Sequence, residues 1–252
     1  TYGGRLHEPG DVYHQFAEII DEIVAKKGVL LIPAFALGRT QQVAYLVHRL
    51  ISEKRIPPIT VHIDSPMAIT ATDLYCKYSE YHAVDINTLG GSKCCLGGGH
   101  VKLHRKRKSS LSLNRLKGPA IIMSASGMMT GGRILHHLIN RLPSEKTTVA
   151  VVGYQAEGTL GRKLVEGEKL VYIHKQPVEV KAKIVNLTGL SGHADYYELL
   201  HWLEPVEEMP KMTFITHGEP TQSRAFAGHL KENRGWTATR LPELDEVVTL
   251  AE

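Results

Sequence analysis

Four short and almost wholly apolar runs, Val29–Ile32, Ile59–Ile63, Ala120–Met123 and Thr148–Tyr154, limit the architectures open to this chain more than any other feature. Three of them show no polar–apolar alternation and read as strands buried on both sides, while Ile59–Ile63, apolar at every second residue, reads as a further strand. Such a sheet needs helices over both faces, and the intervening segments supply them. From Asp11 to Lys27 the residues Val12, Phe16, Ile19, Ile20, Ile23 and Val24 fall on one helical face, with Asp11 placed to cap it and Gly28 to end it. Arg39–Glu53 repeats the spacing through Val43, Leu46, Val47, Leu50 and Ile51, and further helices are expected at Ala68–His82 and Gly132–Leu142. Strand–helix alternation of this kind predicts an α/β fold with a mainly parallel sheet flanked by helices.

Near Leu170 the pattern changes. Leu170–His174 and Val178–Leu187 read as a hairpin around Lys175, Gln176 and Pro177, followed by a helix at Tyr196–Leu203, a strand at Lys211–Thr216, a helix at Pro220–Asn233 and a last strand near Val247–Leu250. Two structural bodies are expected, a large one over 9–188 and a smaller one supplied by 189–252. The residues 1–8 precede the first.

With 252 residues, 42% hydrophobic and 22% charged, disorder, collagen and coiled coil are excluded. The longest apolar runs fall far short of the ~20 residues that span a bilayer, so no membrane partner is expected. The three cysteines, Cys76, Cys94 and Cys95, are too few for a disulfide framework, and a reducing, cytoplasmic compartment is the expectation. The net charge of +4 hides an asymmetry. Between Asp85 and Glu145 lie ten Lys or Arg and no acidic residue, whereas the rest of the chain holds 20 basic and 26 acidic residues. A polyanionic partner fits that distribution, with Arg105, Lys106, Arg107 and Lys108 as its densest cluster and a solvated loop as the simpler account.

Candidate chemistry gathers at few places. His217 follows an apolar strand and precedes a glycine, and His193 stands at the entrance of a helix with Asp195 two residues on. Among 14 histidines their placement sets these two apart. The run Ser124–Arg133 (SASGMMTGGR) joins an apolar strand to a helix through hydroxyls and glycines, an arrangement whose N–H groups and helix dipole suit an anion; Ser124, Ser126, Gly127 and Arg133 are the candidate contacts. A plain capped helix start is the alternative. Pro33–Thr40 is a second such junction and brings Arg39 with it. Neither junction has the Gly-Lys-Ser/Thr of a nucleotide-binding loop, and Gly153, Gly158 and Gly161 do not fit dinucleotide spacing. The adjacent His136 and His137 point in two directions on a helix and cannot chelate one ion.

Taken in order, Thr1-Tyr2-Gly3 with Arg5 and His7, Pro33–Gln41 (PAFALGRTQ), Asp64–Ala68 (DSPMA), Ser124–Arg133, Gly153–Arg162 (GYQAEGTLGR), Ser191–Asp195 (SGHAD) and Thr216–Glu219 (THGE) resemble the β-CASP branch of the metallo-β-lactamase fold. These are RNA-processing nucleases akin to the cleavage-and-polyadenylation endonuclease and to bacterial and archaeal RNA-specific ribonucleases. The resemblance implies a β-CASP domain plus the C-terminal part of a metallo-β-lactamase αββα fold. It implies that His193 is the general acid on the leaving oxygen, that His217 is a ligand of one of two zinc ions, and that the Ser124–Gly127 turn meets substrate phosphate. A histidine at 217 favours RNA over DNA, with Arg39 and the Arg105–Lys108 cluster as further candidate RNA contacts.

The His-x-His-x-Asp-His run that supplies most zinc ligands in that family is absent, and the chain opens on Thr1 rather than Met. The expectation is therefore a C-terminal portion of a zinc-dependent ribonuclease that lacks the N-terminal zinc-ligand half, catalytically incompetent alone and holding no zinc tightly. Single-stranded RNA is the expected partner and a homo-oligomer is compatible with the reading. A non-catalytic RNA-binding or scaffold module of the same fold is the alternative, and a small-molecule hydrolase a third.

Overall fold

The computed structural model describes residues 3–7, 10–81 and 99–250. The chain divides into two compact units, Gly10–Leu190 and a smaller one made of Thr1–Pro9 with Ser191–Glu252.

In the larger unit α1 (Val12–Ala25), β1 (Val29–Pro33), α2 (Arg39–Ser52), β2 (Thr60–Ile63), α3 (Pro66–Lys77), β3 (Val101–Leu103), α4 (Arg107–Ser112), β4 (Ala120–Ser124), α5 (Arg133–Arg141), β5 (Thr147–Val151), α6 (Leu160–Val165), β6 (Leu170–Ile173), β7 (Gln176–Glu179) and β8 (Lys183–Asn186) follow one another. Six strands form one sheet in the order β3-β2-β4-β1-β5-β8, every neighbouring pair parallel. Its register sets Leu30 opposite Ile121 and Ile63 opposite Met123. Because side chains alternate along a strand, the runs of β1, β4 and β5 each feed two cores, whereas β2 gives Val61 and Ile63 to the first core alone. Leu30, Ile32, Ile121, Met123 and Ile63 pack with Phe16, Ile20, Val43, Val47 and Ile69 of α1, α2 and α3. Leu31, Ile122, Val149 and Val151 pack on the other side with Ile134, Leu138 and Leu164 of α5 and α6. Apolar packing on both faces explains why the runs of β1, β4 and β5 lack alternation and that of β2 keeps it.

The first helix starts where expected, with the Asp11 side chain accepting from the Tyr13 N–H. Its exit differs: Lys27, not Gly28, takes the left-handed conformation at φ 51°. Gly28 is needed for another reason, since a Cβ there would sit 2.1 Å from the Lys146 carbonyl oxygen.

Several expected boundaries move. The third helix ends at Lys77, with a 3₁₀ turn at Ser79–Tyr81, and His82 lies outside the described residues. The hairpin turns through His174 and Lys175, both at positive φ as a primed two-residue turn requires, and its return arm stops at Glu179. The residues that looked like that arm's continuation form β8, which leaves the hairpin and pairs in parallel with β5. Three elements escaped the periodicity because they are short: β3, α4 and α6. Cys76 is disulfide-bonded, against the expectation of free thiols, and Cys94 and Cys95 lie outside the described residues.

The smaller unit holds α7 (Tyr196–Trp202), β9 (Thr213–Phe214), α8 (Pro220–Arg234) and β10 (Thr239–Arg240), with β9 and β10 parallel. Pro220 opens α8 and Gly235, left-handed at φ 68°, closes it. Leu200, Ile215, Leu230 and Trp236 make its core. The last strand expected near Val247–Leu250 does not form; that segment is irregular, with Val247 91% and Leu250 71% exposed, because β10 already occupies the place beside β9. Among the described residues no helix is long and apolar enough to cross a membrane.

The close approach at Gly28 gives a direct test. Gly28→Ala should destabilise the chain by about 2 kcal/mol or more, because the obstructing atom is backbone and cannot swing away. Gly153→Ala, where an added Cβ meets nothing within 4 Å, should leave the denaturation midpoint nearly unchanged. Equal midpoints for the two variants in urea unfolding would refute the steric account.

Candidate functional site

Five strand-to-helix junctions collect at the C-terminal edge of the parallel sheet, the edge where open α/β sheets place their reactive groups. One buried carboxylate organises them. Asp64 directly follows β2, is fully inaccessible, and accepts from Arg133 Nη1 at 2.8 Å on Oδ1 and from Ser110 Oγ at 2.6 Å on Oδ2. His137 Nε2 lies 2.7 Å from the same Oδ2. Its backbone is also engaged: the Asp64 N–H donates to the Met123 carbonyl and the Asp64 carbonyl accepts from Ser124 Oγ at 2.9 Å. Burial pushes the Asp64 pKa up, yet the hydrogen bonds from His137, Ser110 and Arg133 outweigh it and hold the carboxyl below the usual aspartate range.

Ser124 and Arg133 bracket the glycine-rich turn, so Asp64 grips both of its ends. Within the turn the Ser126 N–H donates to the Gly131 carbonyl and Ser126 Oγ accepts from the Thr130 N–H at 3.1 Å. Gly132 stands at φ 79° with no room for a Cβ, which would meet the Ala125 carbonyl oxygen at 2.4 Å. Gln155, from the junction after β5, donates to the Gly127 carbonyl at 3.1 Å. The N–H groups of Met128, Gly131 and Gly132 have no hydrogen-bond partner among the described residues, and none of the three residues is buried.

The geometry redistributes the roles of the candidate residues. Ser124 is buried and spends its hydroxyl on Asp64. Arg133 divides its guanidinium among Asp64, the His104 carbonyl at 2.7 Å and the Arg105 carbonyl at 2.9 Å, so it braces the turn instead of presenting a free fork. Arg39 reaches Gln42 Oε1 and the Leu190 carbonyl. The cluster Arg105–Lys108 is not one loop: Arg105 pairs with Asp73, Lys106 caps α4, and Arg107 and Lys108 form its first turn. Lys106 and Lys108 share with Leu103 and Ser112 a groove of about 620 Å³.

Sequence reasoning missed Asp64 and His137. It treated His136 and His137 as a pair, whereas His136 is exposed and His137 is 1% exposed against Asp64. The available signal was a lone carboxylate closing an apolar strand, a charge that is buried only when paired. Nearby, His62 Nδ1 and His104 Nε2 lie 2.9 Å apart. Burial, and next the proximity of His104, push the His62 pKa down to about 4, so that ring is neutral near pH 7.

In the smaller unit His217 stands at φ 60° three residues after β9, and His193 is exposed with its N–H on Ser191 Oγ at 3.2 Å. Asp195 caps α7 through a capping box with Glu198, and accepts from the His7 N–H at 3.0 Å. Among the described residues only His7, Asp195 and Glu198 bring three metal-competent atoms together. Both carboxylates are already committed to the backbone N–H groups of the cap, and neither His193 nor His217 belongs to the trio. Zinc needs three or four protein donors at matched geometry, so the described residues do not fit a dinuclear centre by themselves.

Residues 40–164 match the Beta-Casp domain family and residues 177–241 the Zn-dependent metallo-hydrolase RNA specificity domain. Among curated relatives, a ribonuclease of Thermus thermophilus is 34% identical over 238 residues, covering 93% of this chain and 53% of its own length. An RNase J-like protein of Methanocaldococcus jannaschii is 32% identical, covering 96% of this chain and 55% of its own. The transcription termination factor FttA of Methanococcus maripaludis is 30% identical, covering 87% and 36%. The chain thus spans about half the length of the first two.

Asp64→Asn should cost about 3 kcal/mol or more, since it removes the charge that compensates the Arg133 guanidinium and an oxygen that lies in hydrogen-bond range of both Ser110 and His137. The pH dependence has a fixed sign. A carboxyl whose folded pKa is depressed adds stability above its unfolded pKa and loses it as pH falls through the folded value, so wild type should weaken below the ordinary aspartate range and the variant should show a flatter acid limb. Parallel acid limbs in thermal unfolding of the two proteins would remove Asp64 as the source.

Proposed function

The chain belongs to the β-CASP family of metallo-β-lactamase-fold RNA-processing nucleases, and from that premise we propose that it is the RNA-clamping and closing portion of a zinc-dependent ribonuclease. The observation that carries the RNA side of this reading is the brace at Arg133. One guanidinium ties the Ser126–Gly132 turn to the first residue of the basic cluster, so exposed N–H groups and the cations of α4 belong to one rigid surface. Phosphate oxygens would meet those N–H groups, while Lys106, Arg107 and Lys108 neutralise neighbouring phosphates. The bases would stay largely unread, because contacts of this kind fix position and carry no sequence information.

The reaction class is hydrolysis of RNA phosphodiester bonds. His217 is the one zinc ligand assigned to these residues and His193 the proton donor to the leaving oxygen. The other ligands lie outside the described set, so the 252 residues alone are proposed to be inactive and to retain no zinc. Single-stranded RNA is the proposed substrate and the cytoplasm the proposed setting, where such RNA is found. The support is the ordered run of family segments together with relatives named as ribonucleases.

Two measurements test this. The 252-residue chain should bind single-stranded RNA weakly, with log K falling against log salt at a slope of roughly −2 to −3.5, as about three to five phosphate contacts require. Replacing Lys106, Arg107 and Lys108 by Ser should lessen that slope, and an unchanged slope would return the cluster to plain solvation. In a protein that carries the remaining ligands, His217→Ala should lower bound zinc and turnover together. His193→Ala should keep the zinc and slow turnover by ~10²–10⁴-fold. Equal zinc loss in both would contradict the assigned roles.

A further inference from the structure

The opposite edge of the same sheet carries a second positive region. Where β1, β4 and β5 begin, a cavity of about 460 Å³ is lined by Lys27, Lys117, Arg141 and Lys146 with the hydroxyl residues Ser144 and Thr147, and no carboxylate is in its wall. Its centre of interest is Arg141, the last residue of α5, which is only 8% exposed. Nη2 of Arg141 donates to the carbonyls of Leu113 and Leu116, while its Nε is buried without any acceptor. Burial pulls the Arg141 pKa down and no carboxylate acts the other way, yet a guanidinium stays protonated in proteins.

A buried cation without a counter-ion is costly, and proteins tolerate it where something neutralises it. The carbonyl ends of α1 and α5 lie at this edge, and each brings about half a negative elementary charge. Against four full positive charges, they leave a clear positive excess. An anion of two or more charges matches that excess better than a single carboxylate does. The planar fork of an arginine, lysine ammonium groups and hydroxyls are the donors that suit the oxygens of a phosphate. The volume falls in the range of small-molecule sites, ~300–1,000 Å³.

We propose that this cavity is a phosphate-binding site in which Arg141 supplies the buried charge and Lys117 and Lys146 close over the ligand. The phosphate comes either from a small molecule or from an RNA backbone. The site lies at the strand N-termini, away from the turn assigned to substrate, so its test does not depend on the ribonuclease reading.

Inorganic phosphate is titrated into the 252-residue chain at constant ionic strength, chloride replacing phosphate, while the thermal midpoint is followed. Wild type should gain stability saturably. The double variant Lys117→Gln/Lys146→Gln, altered at two exposed side chains, should need about tenfold more phosphate or more for the same gain. Lys54→Gln/Lys231→Gln, exposed and outside both positive regions, should respond as wild type does. Arg141→Gln should lose the phosphate response with little loss of midpoint in chloride alone, whereas a purely structural arginine would lower the midpoint equally in both salts. Should Arg141→Gln not fold, the Lys117→Gln/Lys146→Gln variant decides. No gain beyond chloride, or the same gain in the Lys117→Gln/Lys146→Gln variant, overturns the proposal, and so does a loss confined to a variant Arg107→Gln/Lys108→Gln on the other edge. Adenosine monophosphate and an oligoribonucleotide without terminal phosphate then separate the sources: the first reproducing the gain alone marks a small molecule, and the second reproducing it marks RNA.

Discussion

A single buried carboxylate holds the C-terminal edge of this sheet together. Asp64 has no exposure and gathers donors from three elements that are far apart in sequence: Ser110 on α4, and Arg133 and His137 on α5, with Ser124 of β4 bonded to its backbone. Taking a carboxylate out of water is repaid only when its lone pairs are filled and a cation stands beside it. Both conditions hold here. The consequence is geometric as much as energetic, because the strand end and the helix start on either side of the glycine-rich turn are fixed to the same side chain. Without Asp64 the turn would keep its glycines and lose its frame.

The fold was legible because its strongest signal is redundant. Apolar runs such as Leu30–Ile32 must satisfy two cores at once, and the helices that cover them, α1 and α2, repeat at 3.6 residues over fourteen residues each. What escaped has little pattern to offer. Three residues of β3 and six of α4 are too few to show a period, and β10 at Thr239–Arg240 was hidden behind the more apolar but exposed Val247–Leu250. The hairpin failed differently. His174 and Lys175 occupy left-handed positions that glycine or asparagine usually announce, so nothing in the sequence marked the turn at its true place.

At the glycine-rich turn the sequence displays residue types and not their partners. Serine and arginine flanking a glycine turn suggested hydroxyl and guanidinium contacts to a phosphate; the fold turns Ser124 and Arg133 inward and leaves backbone N–H groups as the outward-facing donors. The reason is the neighbour in space that a sequence does not display. Asp64 stands 69 residues before Arg133, and no local pattern connects them. His137 was discounted on a sound argument about chelation, and its actual partner is a carboxylate, not an ion.

The same logic alters what the acid-free stretch means. Ten cations without an acid between Asp85 and Glu145 suggest a uniformly adhesive surface, yet the structure gives those among the described residues different partners. Arg105 is drawn to Asp73 and Arg133 to Asp64, both acids from outside the stretch, so their charges are largely spent. Lys106, Arg107 and Lys108 meet no carboxylate in ion-pair range among the described residues and face solvent at the C-terminal edge. Arg141 is buried without a counter-ion at the N-terminal edge, beside Lys117. Charge available to a ligand is therefore a smaller and more divided quantity than charge in the sequence. Among the described residues two opposite edges of one sheet stand out, where a flexible chain and a compact anion meet different geometries: an open groove beside α4, and a half-open pocket around one arginine.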